Sequence, residues 1–222
     1  MQTYGFAGSF NGGLAVVGLA GKFGVIDKNF DLVLDFTYEY IRMFHNGLAV
    51  VGRANKFGMI DTDFNLVVDF LYDYIGHYEY GLIPVMKEDK WGYINSEGIV
   101  VIDFQFDNVW TVGGGHLGRH GYTFSEGFAN VLIGTRWGFI DTNGNLVIPA
   151  VFDDARPFDG GVAAVRQNGL WGFVNTMGEM TVAPQFDSVS SRINNMISVW
   201  NQRERTLYYF NIDESIIVRP NL

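Results

Sequence analysis

Apolar residues fall in short runs of four to six along this chain, and glycine, asparagine and aspartate separate the runs. Leu14-Ala15-Val16-Val17 is one run and Phe23-Gly24-Val25-Ile26 the next, while Leu32, Leu34 and Phe36 alternate with polar or smaller neighbours in a third. Runs this short, rich in β-branched and aromatic residues and bounded by turn formers, predict strands. The links are hairpin-sized. Gly18-Leu19-Ala20-Gly21-Lys22 joins the first two strands and Lys28-Asn29-Phe30-Asp31 the next two, and a later copy of that turn, Thr142-Asn143-Gly144-Asn145, holds an Asn-Gly pair suited to a left-handed backbone.

The pattern repeats. An aromatic followed by glycine occurs at Phe23-Gly24, Phe57-Gly58, Trp91-Gly92, Trp137-Gly138 and Trp171-Gly172, at intervals of 34, 34, 46 and 34 residues. The long interval carries an insertion over 112–123. Other columns keep step with this anchor: an aromatic thirteen residues before it (Phe10, Phe44, Tyr78, Phe124, Phe158), a glycine ten before (Gly13, Gly47, Gly81, Gly127, Gly161) and a valine six before (Val17, Val51, Val85, Val131, Val165). Four residues after the anchor comes Asp27, Asp61, Asn95, Asp141 or Asn175, and sixteen after it Glu39, Asp73, Asp107, Asp153 or Asp187. A sixth, degenerate copy runs from near 193, with Arg203, Glu204 and Arg205 in its first turn, as a polar terminal cap would. These columns resemble the bacterial WG repeat, most closely at Lys90-Trp91-Gly92-Tyr93-Ile94-Asn95 and Arg136-Trp137-Gly138-Phe139-Ile140-Asp141. The resemblance covers about Phe10 to Pro220 and implies a repeat architecture with interaction roles; it brings no catalytic residues.

The expected fold is therefore all-β: one repeat domain over 1–222, with six units starting near 10, 44, 78, 124, 158 and 193. Each unit is a three-stranded antiparallel meander of 34-residue period, and the units stack as an open, solenoid-like array. A unit's few large apolar side chains cannot offset the entropy of ordering 34 residues, so neighbours must share a core. The alternative, a closed β-propeller, typically uses four strands per blade; Tyr72-Asp73-Tyr74-Ile75 would supply a small fourth strand. Pro84 is expected to make its strand exposed or bulged.

Composition narrows the function. Hydrophobic residues at 48% against 18% charged mark a globular chain. A net charge of −9 argues against nucleic acid and anionic membranes as partners and favours a basic protein surface. No run approaches a spanning helix, and no basic region followed by an apolar stretch opens the chain. The absence of cysteine excludes disulfides and thiol chemistry and suits the cytoplasm and a bacterial exterior equally. Phosphate-loop, nucleophile-elbow and zinc-helix motifs are absent, so the expectation is no enzyme, no cofactor and no metal. The acids four residues after the anchor are expected to accept backbone donors in tight turns, and those sixteen after it to be solvated turn residues. His116, Arg119 and His120, in the glycine-rich insertion, are the candidate binding loop. The leading expectation is a non-enzymatic scaffold presenting an extended surface to a protein. Carbohydrate or cell-wall binding through repeated aromatics is the alternative, and it needs exposed rings.

Overall fold

The computed structural model describes residues 3–109, 124–193, 196–212 and 216–218. They form six antiparallel sheets of four strands and no helix. Sheet one comprises β1 (Phe6–Ala7), β2 (Leu14–Leu19), β3 (Lys22–Asp27) and β4 (Leu32–Tyr38), and sheet two β5 (Tyr40–Ile41), β6 (Leu48–Arg53), β7 (Lys56–Asp61) and β8 (Leu66–Tyr72). Sheet three follows with β9 (Tyr74–Ile75), β10 (Ile83–Lys87), β11 (Lys90–Ile94) and β12 (Val100–Phe106), and sheet four with β13 (Asn108–Val109), β14 (Phe128–Ile133), β15 (Arg136–Asp141) and β16 (Leu146–Phe152). Sheet five is β17 (Asp154–Ala155), β18 (Val162–Gln167), β19 (Leu170–Asn175) and β20 (Met180–Phe186); sheet six is β21 (Ser188–Ile193), β22 (Met196–Asn201), β23 (Thr206–Asn211) and β24 (Ile216–Val218). In every sheet the strands are paired in chain order. The sheets follow one another in tandem along the chain and none closes into a barrel, which fits a tandem array of repeats, with four strands per sheet in place of the three expected.

The three long strands per unit are those the hydrophobic pattern predicts. In sheets two to five the fourth is a two-residue strand drawn from the aromatic-acidic segment, whereas β21 of sheet six is six residues long. After Tyr38 or Tyr72 the chain spends one residue, Glu39 or Asp73, and then starts the next sheet. Each 34-residue unit thus lends its last two strand residues to its successor.

The chain divides into two compact units, 1–104 and 105–222. Within the first, Val16 and Val25 of sheet one share an apolar cluster with Ile41, Ala49, Val51 and Ile60 of sheet two. The other face of sheet two, through Val50, Met59 and Val68, shares a cluster with Ile75, Ile83, Val85 and Ile94 of sheet three. Alternate residues of one strand serve two cores, which explains why Ala49-Val50-Val51 is continuously apolar. The second unit repeats the plan, with Ala163 and Val165 in the cluster that holds Phe139 of sheet four, and Ala164 in the cluster that holds Val199 and Phe210 of sheet six.

Pro84 departs from expectation: it is buried and pairs with Tyr93 in a register that runs unbroken from Ile83 to Lys87. Its carbonyl accepts the Gly76 N–H at 2.8 Å, so its nitrogen faces the same side, where β9 has already ended at Ile75. No ladder hydrogen bond to β11 is lost.

Candidate interaction surface

The glycine after each anchor aromatic is required by a backbone approach. A Cβ on Gly24 would lie 2.5 Å from the Leu34 carbonyl oxygen, on Gly92 2.6 Å from that of Ile102, and on Gly172 2.5 Å from that of Val182. The register slips at the same place, between Phe23 and Val25 in sheet one and between Trp171 and Phe173 in sheet five. The outer strand bulges toward its neighbour there, and only glycine leaves it room.

The rings beside these glycines pack inward. Phe23, Phe57, Trp91 and Trp137 are half-buried and Trp171 is buried. Phe57 meets Tyr40 edge-on with centroids 5.6 Å apart, Tyr74 lies 5.4 Å from Trp91, and the Arg156 guanidinium covers Trp171 at 5.2 Å.

Both acidic columns are structural. In the turns after β3, β7 and β15, one carboxylate oxygen accepts two backbone N–H groups: Asn29 and Asp31 on Asp27, Asp63 and Asn65 on Asp61, Asn143 and Asn145 on Asp141, at 2.8–3.0 Å. Asn95 and Asn175 do the same through their amide oxygens. The Asn65 and Asn145 side chains hold the carboxyls of Asp61 and Asp141 below the usual range. These turns behave as the sequence predicts.

The second column is not merely solvated; within each compact unit it ties the link between sheets to a neighbouring hairpin. Glu39, between β4 and β5, accepts Lys22 Nζ from sheet one and the Ala54 N–H from the sheet-two hairpin, each at 3.0 Å. Asp73 accepts Lys56 Nζ at 2.5 Å and the Glu88 N–H at 3.0 Å. Asp153 accepts Arg136 Nη1 and the Gly169 N–H, while Asp107 and Asp187 accept the N–H groups of Gly134 and Gln202. The lysine hydrogen bonds are the main reason that the Glu39 and Asp73 carboxyls sit below their usual values. Apart from Gly134, 27 residues beyond Asp107, the partners lie 15–17 residues away in sequence, so no local pattern points to them. The signal available was the column itself, an acid in all five copies.

Two arginines add a second fastening. Arg42 Nη1 donates to the Gly76 carbonyl at 3.2 Å, and Arg156 donates to the carbonyls of Val189 and Ser190 at 2.7 and 3.0 Å. Burial lowers the pKa of Arg156. At the opposite end of the strands Asn11 Nδ2 donates to the Phe44 carbonyl, Ser125 Oγ to that of Phe158, and Glu126 accepts the N–H groups of Gly160 and Gly161.

With these groups committed, the start of the outer strand stays exposed in sheets one to five and forms a rim within each of the two compact units. The first residue of β4, β8, β12, β16 and β20 is Leu32, Leu66, Val100, Leu146 and Met180, and all five are between 40% and 47% exposed. The proposed loop residues His116, Arg119 and His120 lie outside the described residues. Among the described residues no three His, Cys, Asp or Glu side chains converge as a metal site would require, and no helix is long and apolar enough to cross a membrane.

Among solved structures, a crystal structure of a eukaryotic initiation factor superposes with a TM-score of 0.59 at 15% identity, covering 96% of this chain and 62% of its own. Hsv2p of Kluyveromyces lactis gives 0.47 at 14% identity over 92% and 73% of the two chains. The initiation-factor likeness shows a fold of β-rich repeats and no more, and this chain spans less than two thirds of that protein. No curated protein matches the sequence. The family described as WG containing repeat matches residues 23–56, 57–91, 91–115, 137–171 and 171–199, each match opening on an anchor aromatic, and the chain belongs to that family.

Proposed function

We propose that the chain is a non-enzymatic scaffold whose rim docks a protein partner of basic character. The observation that carries this reading is the column Leu32, Leu66, Val100, Leu146 and Met180: a large apolar side chain, two-fifths or more exposed, at the same place on five successive outer strands. Single exposed aliphatics are ordinary on any surface, whereas a periodic one offers a partner the same foothold in repeat after repeat. The recurrent carboxylates serve turns and joints rather than converging on one point, and the net charge of −9 attracts a basic surface. A sugar-binding ladder would need open ring faces, and the anchor rings are half-buried or buried.

The test is cross-linking capture of partners by the wild-type chain and by a variant with all five column residues replaced by threonine, which keeps β-propensity. Partners cross-linked to the rim should be lost from the variant. The same partners held equally by both proteins would overturn the reading.

A further inference from the structure

Sheets one and two carry the same aromatic pair at the same end, and the pair is covered in only one of them. In sheet two Phe44 and Phe64 meet edge-on with centroids 6.2 Å apart. Phe44 is buried, Phe64 half-buried, and both belong to one cluster with Leu14, Val16, Val25 and Leu34 of sheet one. In sheet one Phe10 and Phe30 meet edge-on at 6.0 Å, the same arrangement one repeat earlier, yet they are 44% and 70% exposed. The equivalent seat shows what such a pair accepts: aliphatic side chains carried on a strand.

Charge defines the rest of the occupant. Of the seven lysines and arginines in 3–104, five (Lys22, Arg53, Lys56, Lys87 and Lys90) flank the hairpins at the far end of the strands. The end that carries Phe10 and Phe30 holds Asp27, Asp31, Asp61, Asp63, Glu79 and Glu97 in its turns and loops, against Lys28. This end of the unit is both the apolar one and the negative one, so it steers cations toward an open aromatic seat.

We propose that the turn end of residues 3–104, centred on Phe10 and Phe30, is the docking seat for a basic polypeptide segment that lays an aliphatic side chain against the two rings. The inference rests on the scaffold reading and assigns it a place and a partner chemistry. The rings already stand in the geometry of the filled seat, so little ordering is needed on binding.

Position 30 supplies its own test. Repeats three to five place Gly98, Gly144 and Gly178 where Phe30 stands, all at positive φ, and Phe30 itself has φ 66°. Phe30→Gly therefore keeps the turn and should melt no lower than wild type. The probe is a fluorescein-labelled peptide of the β4 sequence, residues 32–38 with Asp35→Lys and two lysines added at each end, titrated by anisotropy against the full chain at low and at moderate salt. Saturable binding is expected, weaker by about tenfold or more in Phe30→Gly. It should also be weaker at low salt in Asp31→Asn/Asp63→Asn, and unchanged in Arg53→Gln at the hairpin end. Binding that survives Phe30→Gly, or that falls equally in Arg53→Gln, overturns the seat and leaves the scaffold reading to the five-threonine capture experiment. No binding of the peptide by the wild-type chain also overturns the seat.

Discussion

Sheets one and two build one cross-strand pair from different materials than sheets four and five. In sheet one the central pair facing the next sheet is Val16 opposite Val25, and in sheet two Val50 opposite Met59. In sheet four it is Asn130 opposite Phe139, and in sheet five Ala164 opposite Phe173. Phe173 stacks on Phe210 with centroids 4.2 Å apart and planes 13° from parallel, and Asn130, buried, donates to the Ala155 carbonyl at 2.7 Å. Two middle-sized side chains in sheets one and two become one large and one small in sheets four and five, and sheet three already takes the second form with Pro84 opposite Tyr93. What the repeat holds constant is the filling of the gap between sheets, not the residue at either position.

Exchange of material between the two halves of the chain tests that lesson. Phe173→Val in sheet five, which imports the Val25 solution without its partner, should cost about 3 kcal/mol in urea unfolding because the cavity cannot collapse between paired strands. Adding Ala164→Val should return a clear part of that loss, although Ala164→Val alone is itself unfavourable through overpacking. Simple additivity of the two changes would break the comparison. The anchor glycine should show the opposite behaviour, equal in both halves. Gly24→Ala and Gly172→Ala each bring a Cβ within 2.5 Å of a carbonyl oxygen, and each should cost about 2–3 kcal/mol.

Much of this was legible in the sequence because it repeats. Anchors, turn glycines and Asx-type residues act within a few positions of themselves, so their spacing carries their meaning; Asp61 and Gly144 do what their neighbours in sequence require. The segment that holds β9, Tyr72-Asp73-Tyr74-Ile75, is the small fourth strand of the propeller alternative, but that β5 and β9 belong to the following sheet is a tertiary fact. Glu39 and Asp73 read as solvated because their donors stand on separate hairpins. Pro84 escapes the rule against proline in a strand, which presumes a ladder on both sides, because β9 stops short of it. The insertion column with His116, Arg119 and His120 offered composition but no period to reason from.

A smaller effect separates sheets one and two. Phe64→Gly removes a ring from the cluster shared with Leu34 and should cost about 2 kcal/mol, whereas Phe30→Gly removes an exposed ring and relieves a positive-φ side chain, for a change of about zero or a slight gain. Equal losses in thermal melts would mean that Phe30 is already covered, and the contrast between the two seats would disappear.

The smallest effect is expected at the joints, where lysine in one half stands for arginine in the other. Lys56 and Asp73 are both partly exposed, so Lys56→Met should cost only about 0.5 kcal/mol, and added salt should shrink that difference. Arg136→Met should cost somewhat more, since the guanidinium that meets Asp153 is planar and less strongly hydrated. The acid dependence has a fixed sign: the Asp73 carboxyl lies below its usual 3.8 in the folded chain, so its contribution is present above that pH and fades as the pH falls below it. Lys56→Met should therefore flatten the acid limb of a stability-pH curve without moving the neutral plateau by more than the ion pair is worth. Asp73→Asn removes the charge but keeps an acceptor for the Glu88 N–H. If it matches Lys56→Met, the joint depends on the ion pair; if it is nearly silent, the hairpin N–H is what the carboxylate column is there to hold.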